Sequence, residues 1–211
     1  MSHIQKALEW RYATKQFDST KKLTEEQLNT ILESMRLSAS SYGLQPWKFV
    51  IVQNPEVREK LKAASWNQPQ VTDASHFVVL CVRTDVNEAY VDAYMKKISE
   101  TRSVPVEQLS GYADMIKGTL GRRTAEQILE WSTHQVYIAL GTALLAAAET
   151  NIDACPMEGF ESSTFDTILD LPAKNLSSRV CIALGFRAES DEMAKAPKVR
   201  FDSSDVVIEI A

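Results

Sequence analysis

The chain is poor in the residues that punctuate or staple a fold. Seven glycines, seven prolines and three cysteines stand among 211 residues. So little Gly and Pro excludes a collagen-like, linker-rich or disordered chain. Cys81, Cys155 and Cys181 lie in apolar contexts (VLCVR, DACPM, RVCIA) without C-x-x-C spacing. An odd number of thiols placed this way reads as reduced core residues of a cytoplasmic protein, not as a disulfide frame. MSHIQKALEW lacks the apolar core of a signal peptide. The longest apolar stretch, Tyr137 to Ala148, has 12 residues with Gly141 and Thr142 inside, too short to span a bilayer. Charge of one sign is also scarce: 23 basic against 28 acidic side chains give a net charge of −5. That balance argues against a nucleic-acid partner, whose affinity comes from cations on phosphates. It leaves room for a local basic cleft that takes a small anion.

Several catalytic signatures are missing as well. Gly43, Gly111, Gly118, Gly121, Gly141, Gly159 and Gly185 form neither G-x-G-x-x-G nor the phosphate loop of NTPases. There is no G-x-S-x-G elbow. His3, His76 and His134 have no H-E-x-x-H or H-x-x-x-H spacing, so a zinc site lacks ligands. His76 and His134 read as structural residues.

What remains is the pattern of one α+β domain spanning 1–211. Ser2-x-x-Gln5 and Thr24-x-x-Gln27 resemble capping boxes. Ile4, Ala7 and Leu8 predict the buried stripe of a first helix, and Leu28, Ile31, Leu32 and Met35 that of a second. KFVIVQ (48–53), HFVVLCVR (76–83), 152–155 and RVCIALGF (179–186) predict strands. Helical stretches are expected near 56–64, 87–99, 105–117 and 124–150, with a short one around Phe165. The central strands are too apolar for a one-sided sheet, so helices should cover both faces. Residues 136–148 are apolar nearly all round, which suits a domain centre or a subunit interface. Residues 156–160 predict a turn, 187–200 a polar loop, and VVIEI (206–210) a terminal strand.

Three polar clusters interrupt this pattern. Arg11 and Lys15 follow the first helix, before Phe17. Ser38 to Trp47 is a loop rich in small hydroxyls. Lys198 and Arg200 lie close to the C-terminus. Each has a bland explanation: cations at a helix C-terminus, a plain helix–strand connection, a solvated charge pair. Together they match an anionic ligand with a polar tail and a flat ring, since Arg and Lys suit phosphate and Ser and Gln suit a polyol chain.

RYATKQFD (11–18), KKLTEEQ (21–27), SASSYGLQPWKF (38–49), DASHFVVLC (73–81), HQVYIALG (134–141), CPMEGF (155–160) and APKVRF (196–201) are similar, in order and over nearly the whole chain, to the FMN-dependent nitroreductase family of the oxygen-insensitive type. The stretch from Asp85 to Arg123 resembles the family least, in the region where substrate preference is usually set.

The resemblance implies a homodimer with two FMN sites at the subunit interface. It implies a mixed four-stranded sheet flanked by helices, with the C-terminal strand exchanged with the partner subunit. Arg11, Tyr12, Ala13, Lys15, Asn67, Lys198 and Arg200 would contact FMN from one subunit, and Ala39, Ser40, Ser41 and Gly43 from the other. Pro156, Met157, Glu158 and Gly159 would lie along the ring, with the backbone N–H near Glu158 facing flavin N5. Trp66 and Tyr112 are candidate walls of the acceptor site, or else ordinary aromatics. Three positions depart from the family pattern: Ala13 often has Ser as its counterpart, Gly43 often has Asn, and Gln70 stands where some relatives carry a cation. The implied activity needs no side-chain acid. NADH or NADPH would give hydride to N5 and leave, and a nitroaromatic or related oxidant would replace it, a ping-pong scheme in which the flavin carries the chemistry. A quinone, flavin or dihydropteridine reductase on the same scaffold, a non-catalytic FMN-binding protein, and a scaffold without FMN are the alternatives.

Overall fold

The computed structural model describes residues 1–210. In chain order the elements are α1 (His3–Trp10), α2 (Glu25–Arg36), β1 (Trp47–Val52), α3 (Pro55–Ala63), α4 (Gln70–Asp73), β2 (His76–Arg83), α5 (Glu88–Arg102), α6 (Ser110–Leu120), α7 (Ala125–Glu149), β3 (Asp153–Met157), α8 (Ser162–Ile168), β4 (Leu176–Gly185) and α9 (Ser203–Val206). Both expected capping boxes form, and Thr124 with Gln127 makes a third at the start of α7. Each box satisfies two backbone donors that a helix start leaves open.

The strands form one sheet in the order β1-β2-β4-β3. Side chains alternate across it. Val78, Leu80 and Val82 meet α2 and α7 through Ile31, Met35, Val136 and Ala143. Phe77, Val79 and Cys81 meet α3, α4 and α8 through Leu61, Val71 and Phe165. Helices therefore cover both faces, as the unbroken apolar strands require. A third apolar cluster joins α5 and α6 to Leu44 and Val86, away from the sheet. All three cysteines are buried and free, and burial pushes the Cys81 thiol up to about 12.

Four expectations need correction. The sheet is not mixed: all three strand pairings are antiparallel, and the one parallel link is the single bridge Ala13–Ala154. Strand direction is set by how the crossovers pack, which a strand's own residues do not encode. Pro156 and Met157 continue β3 instead of opening a turn, because they pair with Ile182 and Cys181. Of the α1 stripe only Ala7 is buried, while Ile4 and Leu8 are 53% and 46% exposed. The run 206–210 is not a strand in the single chain. One helical turn ends at Val206, and Val207 to Ile210 extend into solvent. A strand needs a neighbour's backbone groups, and none lies beside it here.

The α7 helix reads differently on its two sides. Ser132, Gln135, Val136, Ala139, Leu140, Ala143 and Ala147 are buried. His134, Tyr137, Ile138 and Gly141, spaced i, i+3, i+4 and i+7, are exposed. No helix among the described residues is long and apolar enough to cross a membrane.

Candidate active site

The segment after α1 lies along the outer edge of β3. Thr14 N–H donates to Ala154 O at 3.3 Å, and Asp18 N–H donates to Phe186 O at 2.8 Å. This turns Arg11, Tyr12, Ala13 and Lys15 toward the C-terminal segment 193–200. The two segments enclose a cleft of about 510 Å³ lined by those four residues together with Trp10, Lys198 and Arg200, among others.

Four cations and one acid, Glu9, line this cleft, so its charge is predominantly positive. Among the described residues none of Arg11, Lys15, Lys198 and Arg200 forms an ion pair. Burial, then the nearby Arg200, push the Arg11 guanidinium below its ordinary value. Burial, then Arg11 and Arg200, do the same to Lys198. Arg11 Nε is enclosed without a partner. Lys198 Nζ donates to the carbonyls of Leu8 and Arg11, so it ties the tail to the end of α1. Arg200 Nη1 donates only to the adjacent Val199 O.

On β3 the Cys155 thiol donates to Pro156 O, and burial pushes its pKa up while Lys15 and Arg11 pull it the other way. Gln70 is 5% exposed, and its Oε1 has no partner. Farther along β3 come Pro156, Met157, Glu158 and Gly159. Gln68 Nε2 donates to Gly159 O at 2.8 Å, and Tyr137 on α7 donates to the Glu158 carboxylate. A Cβ at Gly159 would stand 2.7 Å from the Trp66 ring, so a larger residue there would have to displace that ring. Trp66 and Asn67 both have positive φ, 53° and 57°, which turns the chain sharply over β3.

The structure thus brings Arg11, Tyr12, Ala13, Lys15, Lys198 and Arg200 to one cleft, with Asn67, Trp66 and 156–159 along the adjoining edge. It does not bring Ala39, Ser40, Ser41, Gly43 or Tyr112 there. These sit together on another face. Ser41 N–H donates to Gln135 Oε1 at 2.8 Å, Ser40 Oγ accepts from Gln45 N–H at 3.0 Å, and the Tyr112 hydroxyl donates to Tyr42 O at 3.1 Å. Gly43 has φ +73°, and a Cβ there would stand 2.2 Å from the Tyr94 hydroxyl.

Two organisers of the cleft carry no sequence signal. Asp191, 2% exposed, accepts from the Tyr12 hydroxyl and from the N–H groups of Lys15 and Gln16. In the sequence it is one acid among several in a polar loop. Arg187 pairs with the buried Asp153 through Nε at 2.7 Å and stacks between Trp10 and Tyr12, 4.4 and 4.6 Å from their ring centres. Among the described residues no group of three His, Cys, Asp or Glu is placed to hold a metal ion.

The nitroreductase family model matches residues 8–186, and the chain belongs to that family. A provisionally named NAD(P)H nitroreductase of Bacillus subtilis is 38% identical over 98% of this chain and 96% of its own length. Another, from Staphylococcus aureus, is 39% identical over 88% of this chain and 87% of its own. The fold superimposes on a B. subtilis nitroreductase-like structure with a TM-score of 0.87, at 20% identity and 98% coverage of both chains. It also matches a structure from Exiguobacterium sibiricum, solved with FMN, at a TM-score of 0.86, 19% identity and coverage of 100% and 98%.

Proposed function

We propose that this protein is a homodimeric, FMN-dependent NAD(P)H oxidoreductase that reduces nitroaromatic or related acceptors. The single observation that carries the reading is the cleft in which four cations, against the one acid Glu9, form no ion pair among the described residues. Like charges gathered in a half-buried site disfavour one another until an anion joins them. Arg11 with its orphaned Nε, Lys15 and Arg200 would hold the phosphate of FMN, and Lys198 would brace the backbone that presents Arg11. Gln70 and Asn67 would meet the polar edge of the ring, and Pro156 to Gly159 would lie along it. The unsatisfied Gln70 Oε1 fits a ring N–H donor, since a buried orphan acceptor costs about 1–3 kcal/mol.

When bound, FMN supplies a carrier of two electrons between the nicotinamide donor and the acceptor. The chain's own task is to orient the ring, screen its phosphate and leave one face open for both substrates in turn, which gives ping-pong kinetics.

Ala39, Ser40, Ser41 and Gly43 serve a site only through a second copy, because their loop lies away from the cleft of their own chain. Two further features support a dimer: the exposed α7 stripe, and the exposed apolar side chains near the C-terminus, of which Ile208 and Ile210 are 87% and 95% exposed. β1 is an edge strand, with only β2 beside it, so its outer backbone groups are available to the partner's tail.

The test is an absorbance spectrum of the purified protein, then anaerobic addition of NADH or NADPH. Flavin bands that bleach on addition are expected. A protein that stays colourless with added FMN, or a flavin that neither donor bleaches, overturns the reading. Arg200→Ala should weaken FMN binding by about 1.5–3 kcal/mol, the range for a hydrogen bond to a charged group. Unchanged affinity removes Arg200 from the site.

A further inference from the structure

At the start of α7 a second basic concavity, about 500 Å³, is lined by Arg122, Arg123, Gln127, Glu130, Trp131 and His134. It shares no residue with the cleft described above. Neither arginine has a carboxylate partner or a side-chain hydrogen bond among the described residues. Arg123 Nη1 is enclosed and unsatisfied, and its guanidinium is held over the Trp131 ring at 5.4 Å. A buried guanidinium donor without an acceptor is costly, and stacking fixes the direction in which it points. Glu130 is the one acid on the wall, against two arginines and a histidine.

This concavity adjoins the loop that serves the partner's site. Trp131 O accepts from Gln135 Nε2, and Gln135 Oε1 accepts from Ser41 N–H. His134 lies on the exposed α7 stripe beside them.

We propose that Arg122 and Arg123 form an oxyanion subsite at the rim of the active site, reading a phosphate or carboxylate on the electron donor or the acceptor. This rests on the proposed function, because it takes the Ser40–Gly43 loop to border the flavin of the other subunit. Such a subsite would set preference by charge at a distance from the reacting atoms, where an oxyanion gains two forked donors.

The test has a binding arm and a kinetic arm, using Arg122→Ala and Arg123→Met. Methionine keeps an unbranched side chain over Trp131. In the binding arm, NMR of the His134 ring protons is followed on adding inorganic phosphate and 4-nitrobenzoate. A saturable shift in the wild type that both variants abolish is expected. In the kinetic arm, NADPH is compared with NADH, and 4-nitrobenzoate with nitrobenzene. The variants should raise KM by about tenfold or more for the partner that carries the anion and leave its uncharged counterpart unaffected. A rise confined to NADPH assigns the donor's 2′-phosphate, and one confined to 4-nitrobenzoate assigns the acceptor. An unmoved His134, or unchanged KM for all four substrates, overturns the proposal. Failure of the flavin reading would show separately, as a colourless protein in which His134 still responds to anions.

Discussion

The Asp191 carboxylate accepts the Tyr12 hydroxyl at 2.9 Å across 179 residues of chain. The same oxygen takes the backbone N–H of Lys15 at 2.8 Å and of Gln16 at 3.0 Å. One buried acid therefore shapes the backbone that carries the basic cluster. Burial alone would raise its pKa, but the donors from Gln16, Lys15, Tyr12 and Met193 outweigh it and hold the carboxyl below its ordinary value.

Asp191→Ala should cost stability on the order of 1.5–3 kcal/mol or more, since several hydrogen bonds to one charge are lost together. The pH dependence follows in sign. A carboxyl with a lowered folded pKa contributes stability above its unfolded value of about 4, and that contribution fades as pH falls through the folded value. Urea unfolding from pH 7 down to pH 3 should show the wild type losing an increment of stability that the variant never had. Parallel curves for the two proteins would remove this role from Asp191.

Gly43 and Tyr94 should be energetically coupled. The Tyr94 hydroxyl occupies the space that a Cβ at Gly43 would need, and the backbone there has φ +73°. Gly43→Asn should tolerate the dihedral yet collide with the ring. A loss of about 1–3 kcal/mol is expected for the single change, as for overpacking. Tyr94→Ala should relieve much of it. Additive losses in thermal unfolding of the double variant would show that the two residues do not share that space.

Tyr137 should act on rate and not on flavin content. Burial, then the hydrogen bond to Glu158, push its pKa well up, so it stays a neutral donor at working pH. It holds the Glu158 side chain while Gln68 holds Gly159 O, so the two contacts brace the chain on either side of the Glu158–Gly159 link. Tyr137→Phe should lower kcat by about tenfold or less, the worth of one largely exposed hydrogen bond. FMN affinity and melting temperature should change little. A drop in FMN content equal to the loss of rate would mean that Tyr137 supports binding instead.

Removal of the residues after Asp205 should loosen the proposed dimer. In the single chain Val206, Val207, Ile208 and Ile210 are all more than half exposed, which the proposed dimer would relieve by covering them. Sedimentation at low micromolar concentration should show the truncated protein dissociating where the full chain remains dimeric. Equal dimer stability would argue against strand exchange.

Much of this protein is legible in its sequence because the governing interactions are local. Capping pairs lie three residues apart, helix stripes repeat within a turn, and β2 begins at His76 and ends at Arg83 as its apolar run implies. Seven short stretches, from RYATKQFD through CPMEGF to APKVRF, carry the family resemblance together and in order, and the family model bears it out. Tertiary structure decided the rest, because it depends on groups that meet only after folding. It made every strand pairing antiparallel and left one face of α7 bare. It set Asp191 against Tyr12, Arg187 between Trp10 and Tyr12, and Tyr137 on Glu158, contacts that no short window of residues contains. It also separated the hydroxyl loop from the cations of its own chain, since Gln135, Tyr94 and Tyr112 hold that loop on another face.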